Sequence, residues 1–407
     1  MPRMDTDGGK KRTGSPGIVE AFPVRLNAMF GSAWPAGRVR LSAGGSAAKV
    51  APTMSKKRRT ITYKDAGVDI SANDRLVELI KPIVRTTADP RMIGGVGGFA
   101  GLFRLNSAQF GTYKDPVLVG CTDGVGTKVL LARQADRLDT VGVDLVAMSV
   151  NDMLTVGARP LFFLDYVAVH TLDPSQVAAL VSGIAEGCRQ AGCALLGGET
   201  AEMPDLYARG DFDLAGFAVG VVERRRIIDG ARIAPGDVIV GLPSSGIHSN
   251  GLSLARRLVF KEARLSFKDV VPGLDRPIGQ ELLEPTRIYV QPVLELLARQ
   301  RARRAVHGMA HITGGGLPGN VIRVLPEGTR AVFQTSSWTV PPIFAYLQSL
   351  GVSRTEMFGV FNMGIGFVLV VQADAAETIL AHFRRHALDA QVIGRIERGR
   401  RAVQLGR

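Results

Sequence analysis

The chain has 407 residues, 46% of them apolar, with 50 Lys and Arg against 37 Asp and Glu for a formal charge of +13. That length and apolar share support more than one packed domain, and no apolar run approaches the ~18 residues of a membrane span, so a cytoplasmic protein is expected. Part of the charge lies in residues 1–53 and much of the rest is arginine near the C-terminus, without the interleaved aromatics of a nucleic-acid surface; a basic enzyme with an anionic substrate, and no nucleic-acid or membrane partner, accounts for it.

Residues 1–55 are rich in Gly, Ala, Ser and Pro, lack sustained periodicity and read as a disordered extension. Asp5 and Asp7 disfavour an organellar transit peptide, and Met54-Ser-Lys-Lys-Arg-Arg59 looks like an alternative start. A helix is expected from near Ser71. Gly94, Gly95, Gly97 and Gly98 then fall within five residues, which predicts a mobile or close-approach loop. Their spacing is not that of a dinucleotide-binding turn.

The apolar run Pro116–Cys121 predicts a buried strand that leads into Thr122-Asp123-Gly124-Val125-Gly126-Thr127-Lys128. Glycines let backbone N–H groups approach a phosphate, a lysine adds positive charge and an aspartate can hold a divalent cation. The order Gly-Thr-Lys differs from a Walker loop. Thr140–Val156 has helical periodicity and puts Asp144, Asn151 and Asp152 on one stripe two turns apart. Such a stripe reads either as a solvated face or as a hard-cation site. Three oxygen-bearing side chains after this turn favour Mg²⁺.

Leu161–Val169 predicts a strand containing Asp165, and Asp173-Pro174 caps a helix to about Gln190. Ala194–Thr200 is a short strand ending in Gly-Gly-Glu199-Thr, a second turn able to face the same ligand. Asp213–Val222 is another strand. This alternation argues an α/β domain over 56–225, closed by the charged run Glu223–Gly230, with a second domain over 226–407. In the second domain, strand Asp237–Leu242 leads to Pro243–Gly251, a hydroxyl- and glycine-rich turn holding His248 at a helix start. A long helix is expected to about Arg301. Thr313, Gly314 and Gly315 form a third glycine turn after His311, and Phe361–Gly366 a fourth. Cys121, Cys188 and Cys193 have no zinc-site spacing and read as core thiols.

Taken together, YKDAGVDI, GGVGGFAGLF, TDGVGTK, VGVDLVAMSVNDM, PLFFLDY, SGIAEGC, GGETAEMP, DLAGFAVGVVE, SSGIHSNG, PTRIYV, HITGGG and FNMGIG keep the order seen in the phosphoribosylformylglycinamidine cyclo-ligase (AIR synthetase) family, which the chain resembles from about Tyr63 onward. The resemblance implies an α/β (α+β-like) two-domain fold. The first domain's sheet would pair with that of a second subunit into a barrel, and the C-terminal α/β domain would hold a mixed sheet flanked by helices. It implies ATP-dependent closure of formylglycinamidine ribonucleotide (FGAM) to aminoimidazole ribonucleotide (AIR) through an iminophosphate, in a homodimer. On that basis Asp123, Asp144, Asn151 and Asp152 are expected to bind Mg²⁺. Lys128, Thr127, Gly124, Gly126, Asn151 and Glu199, with the Gly94–Gly98 loop, are expected around ATP. Thr313–Gly315 would seat a phosphate, and His248 would take the proton. Selenophosphate synthetase, with the same scaffold, has a reactive Cys or selenocysteine that residues 1–120 lack, and the related amidotransferase is far longer. A kinase resembling thiamine-monophosphate kinase is the alternative.

Overall fold

The computed structural model describes residues 70–93, 100–106 and 112–406. The N-terminal extension and the expected Gly94–Gly98 loop lie outside the described residues. A first helix, α1 (Ile70–Arg85), and the short pair β1 (Met92–Ile93) and β2 (Leu102–Phe103) precede a four-stranded sheet. That sheet contains β3 (Pro116–Gly124), β4 (Arg159–Val169), β5 (Ala194–Glu202) and β6 (Phe212–Glu223), ordered β3-β6-β4-β5. Helices α2 (Lys128–Ala135) and α3 (Asp139–Leu154) follow β3, and α4 (Pro174–Ala191) joins β4 to β5. The β4–β5 pair is parallel, as a helical crossover requires, while β3–β6 and β6–β4 are antiparallel.

α3 is the spine of the molecule. Nearly every one of its residues is buried, including its polar ones, which marks a helix enclosed on all sides. It meets α4 at very short range because Gly142 and Gly183 lack side chains: a Cβ on Gly142 would lie 2.5 Å from the Leu180 carbonyl, and one on Gly183 would strike the Asp139 backbone. The other face of the sheet is different. Leu118 and Phe217 stand 65% and 45% exposed there, beside half-buried Leu164 and Tyr166.

The second sheet is mixed and six-stranded, ordered β12-β9-β11-β7-β10-β8. Its strands are β7 (Val238–Pro243), β8 (Val306–His311), β9 (Thr329–Gln334), β10 (Ile365–Val371), β11 (Gln391–Arg398) and β12 (Ala402–Gly406). Every residue of β8 and β10 is buried, which explains the unbroken apolar run of β10. Between β7 and β8 lie α5 (Leu252–Arg256), α6 (Ile278–Leu283), α7 (Val290–Ala298) and α8 (Gln300–Ala305). The single long helix expected to Arg301 is two helices: Arg299 is extended (ψ 116°), and the chain turns there so that α8 feeds β8. The remaining helices are α9 (Gly316–Val321), α10 (Pro342–Ser349), α11 (Arg354–Val360) and α12 (Ala376–Arg384). The architecture is mixed α/β, as the alternation of periods predicts. β8, β9, α10 and α11 were not anticipated from the pattern.

Candidate active site

Asp123, next to last in β3, has one carboxylate oxygen accepting the Gly124 N–H at 2.8 Å. The chain then turns through Gly126, whose φ of +65° suits glycine, and Thr127 meets Ser253 hydroxyl to hydroxyl at 3.1 Å. The glycine turn therefore faces the start of α5 in the second half of the chain.

α3 carries Asp144 two turns before Asn151 and Asp152, as the helical stripe predicts, but the three have different surroundings. Asp144 is fully buried against Lys128, which is also fully buried. The lysine Nζ donates to Asp144 Oδ1 at 2.9 Å and lies 2.7 Å from Oδ2, outside hydrogen-bonding direction for the latter. It donates as well to the Glu284 carbonyl at 2.6 Å. Thr286 completes the cage, giving Asp144 Oδ1 its N–H at 2.7 Å and its hydroxyl at 2.5 Å. Burial lowers the Lys128 pKa, and the Asp144 charge opposes that shift. Asn151 donates to the Arg287 carbonyl at 2.8 Å and accepts the Tyr289 N–H at 3.0 Å.

Asp144, Asn151 and Lys128 thus grip the 284–289 segment. In this structure their polar atoms are engaged with one another and with that segment. The physical reason is that a buried amine and carboxylate cannot stay charged without each other.

Asp152 points elsewhere. Its side chain is 45% exposed, and its Oδ1 accepts from His311 Nδ1 at 2.8 Å. A carboxylate can only accept, so Nδ1 carries a proton. The His311 Nε2 is buried without a partner. Both residues line a cavity of about 340 Å³ shared with Cys121, Asn320 and Arg323. Burial holds the Asp123 carboxyl above its ordinary pKa, the Gly124 amide opposes this, and the Asp152 charge raises it further. Burial also pushes the Cys121 thiol to about 11, reinforced by Asp152 and Asp123. Asp123, Asp152 and His311 are therefore electrostatic neighbours. Among the described residues no group of three or more His, Cys, Asp or Glu side chains is arranged as a metal cage.

His248 is 1% exposed, with a left-handed φ of +65° that turns its ring inward. Its Nε2 accepts from the Ser245 and Arg287 amides at 3.2 and 3.4 Å. Burial, then the charges of His311, Lys128 and Arg287, drive its pKa well below that of an ordinary histidine. Its lone pair is occupied by backbone. Gly366 is glycine because a Cβ there would lie 2.5 Å from this ring.

The turn Thr313–Gly316 is folded around Asn320, whose amide donates to the carbonyls of Thr313, Gly314 and Gly316 at 3.2, 3.2 and 2.8 Å. A Cβ on Gly314 would stand 3.5 Å from Asn250 Oδ1, and Asn250 reaches Met148 of α3 at 3.8 Å. The Pro243–Gly251 and Thr313–Gly316 turns thus meet beside α3. Glu199 lies apart. It is exposed and pairs with Tyr166 in register, in the row that begins at Gly124, about 14 Å across the sheet at ordinary strand spacing. Sequence reasoning singled out the turn after His311 but missed the histidine itself. The available signal was its place at the C-terminal end of a strand, where open α/β sheets bind ligands.

The AIR synthase related protein family matches this chain in two parts, its N-terminal domain over residues 106–222 and its C-terminal domain over 234–405. A phosphoribosylformylglycinamidine cyclo-ligase of Myxococcus xanthus is 56% identical over 339 residues, covering 83% of this chain and 96% of the relative. One of Geobacter metallireducens is 54% identical over 349 residues, covering 85% and 98%. Among solved structures, thiamine-monophosphate kinase from Stenotrophomonas maltophilia superposes with a TM-score of 0.61 at 19% identity, covering 80% of this chain and 95% of that one. Hydrogenase maturation protein HypE in complex with ATP gives 0.57 at 19% identity, covering 81% and 90%. At such identities the structural likeness speaks for the fold alone.

Proposed function

The chain belongs to the AIR synthase related family, among its phosphoribosylformylglycinamidine cyclo-ligases, and from that premise we propose how its own residues close the imidazole ring of AIR from FGAM and ATP. The chain divides near residue 225, and the reaction occupies the cleft between the two sheets. The formyl amide oxygen of FGAM takes the γ-phosphoryl group of ATP, releasing ADP. The amidine nitrogen then attacks the activated carbon, phosphate leaves with the former amide oxygen, and one proton is lost.

The observation that carries this reading is the pair Asp152 and His311 at one cavity, with Asp123 as their electrostatic neighbour. Two carboxylates that repel each other, one of them partly desolvated, form a hard-oxygen donor set suited to Mg²⁺. They are the residues that would hold it, and the ion would neutralise phosphate charge during transfer. His311, oriented by Asp152, presents its free Nε2 and takes the proton that ring closure releases. The Gly126 turn and the Thr127 hydroxyl line the approach for ATP phosphates. The turn at Thr313–Gly315 takes the ribose phosphate of FGAM. Holding both ends of one substrate in this cleft supports cyclisation by proximity.

The uncovered face of the first sheet supports a homodimer. Leu118 and Phe217 expose large apolar surface on a flat β face, and a second copy of the same sheet would cover it.

The test is a coupled ADP assay on the full chain with FGAM, ATP and graded Mg²⁺, with AIR measured alongside. ADP and AIR should rise together and depend on both FGAM and Mg²⁺. ADP release with thiamine monophosphate in place of FGAM would move the chain to the kinase branch of the fold.

A further inference from the structure

A second cavity, of about 310 Å³, lies at the opposite end of the first sheet from Asp123. Val221 of this cavity pairs with Leu118, three residues, about 10 Å, along β3 from Cys121 of the other cavity, and the two linings share no residue. The volume falls at the small end of the ~300–1,000 Å³ range of ligand pockets.

Three arginines from separate elements line the cavity: Arg159 at the start of β4, Arg226 just after β6, and Arg303 in α8. Among the described residues none of the three forms an ion pair with a carboxylate. The one acid in the lining, Glu223, already accepts the Lys114 and Asp115 N–H groups at 3.2 and 2.7 Å. Arg303 spends one donor on the Leu297 carbonyl at 3.2 Å. Burial, then the charges of Arg226 and Arg304, pulls the Arg303 guanidinium below its ordinary pKa. A bound anion would relieve that repulsion, and planar guanidinium forks match phosphate oxygens two at a time. The opposite wall is apolar: Leu294 and Leu297 of α7 are buried there.

We propose that this cavity binds a small phosphate monoester, with its phosphate on Arg159, Arg226 and Arg303 and its organic body against Leu294 and Leu297. The site is separate from the catalytic cleft and nothing in the ring-closing reaction uses it. α7 connects the two regions, since it starts directly after the segment held by Asp144 and Asn151.

The experiment is phenylglyoxal labelling of the full chain, read arginine by arginine by mass spectrometry, with ribose 5-phosphate as the probe. At ten times its Kd the probe should slow modification of Arg226 and Arg303 about tenfold. The same protection should persist in Asp123→Asn, whose catalytic cleft is altered. In Arg226→Gln, protection of Arg303 should require about tenfold more probe. Modification at an unchanged rate would overturn the proposal, as would equal protection by sodium chloride at matched ionic strength. Loss of protection in Asp123→Asn would overturn it by assigning the effect to the cleft. Equal protection by inorganic phosphate at the same concentration would overturn the role given to the apolar wall.

Discussion

Replacing Lys128 with methionine tests whether the lysine of the glycine turn is a clasp or a phosphate ligand. The side chain keeps its length and loses its charge, which leaves Asp144 buried with only the two Thr286 donors. Removing one partner of a buried ion pair costs about 3–5 kcal/mol. Against a total stability of ~5–15 kcal/mol, that is a large fraction, and Tm should fall on the order of 10 °C. Adding Asp144→Asn removes the stranded charge while keeping an acceptor for Thr286. The double variant should therefore recover much of the loss, with a coupling on the order of 2 kcal/mol. The measurement is thermal unfolding of the wild type, both single variants and the double variant, with the KM for ATP recorded at a temperature where all are folded. A Lys128→Met protein that keeps its Tm within a degree or two but raises the KM for ATP would refute the clasp and restore the phosphate role.

The two histidines should separate by readout. His311→Gln should lower kcat by about 10²–10⁴ with little change in Tm, as expected for loss of a proton acceptor, whereas His248→Gln should lower Tm and leave kcat of the folded fraction within a few-fold; the reverse pattern would exchange their roles. Phe217→Glu combined with Leu118→Glu should yield a monomer by light scattering, and a dimer that survives both charges would remove the open sheet face from the interface. Burial raises the Asp165 carboxyl from 3.8 to about 7, so the folded state keeps a proton that the unfolded chain releases. Stability from this group is therefore lost as pH rises from about 4 to 7 and is flat above, with an upper bound of about 4 kcal/mol. Asp165→Asn should remove that slope, and an unchanged pH profile of Tm would show that the carboxyl is not desolvated as its surroundings indicate.

Local order was legible because it is written in short periods. The Asp173-Pro174 signal marks the start of α4, where Asp173 accepts the Ser175 N–H at 2.9 Å. β3 and the glycine turn that follows it also stand where the apolar run ends. The stripe on α3 is real as well, since a 3.6-residue period fixes which side chains share a face. That period does not say what covers the face. Asp144 and Asn151 meet Thr286, Arg287 and Tyr289, more than 130 positions away, and no local pattern encodes such a pairing. His248 shows the same limit: its strand-to-helix corner looks like an anion seat, and the ring's contact with the Arg287 amide, 39 positions away, is not written in the local pattern.

The residues that looked alike in sequence are therefore divided by burial into two jobs. Lys128, Asp144 and Asn151 hold the 284–289 segment against α3, while Asp152 and His311 face the cavity with Asp123 as their electrostatic neighbour. The second group depends on the first. Asp152 follows Asn151 directly on α3, and His311 comes from the other sheet, so the 2.8 Å contact between them is set by how firmly that sheet is held to α3. Loosening the clasp should thus disturb the pairing of His311 with Asp152 without touching either residue. On this argument Asn151→Ala, which removes two hydrogen bonds to the 287–289 backbone, should lower kcat as well as Tm. A variant that lost stability yet kept full turnover once folded would show that the site is built independently of the clasp.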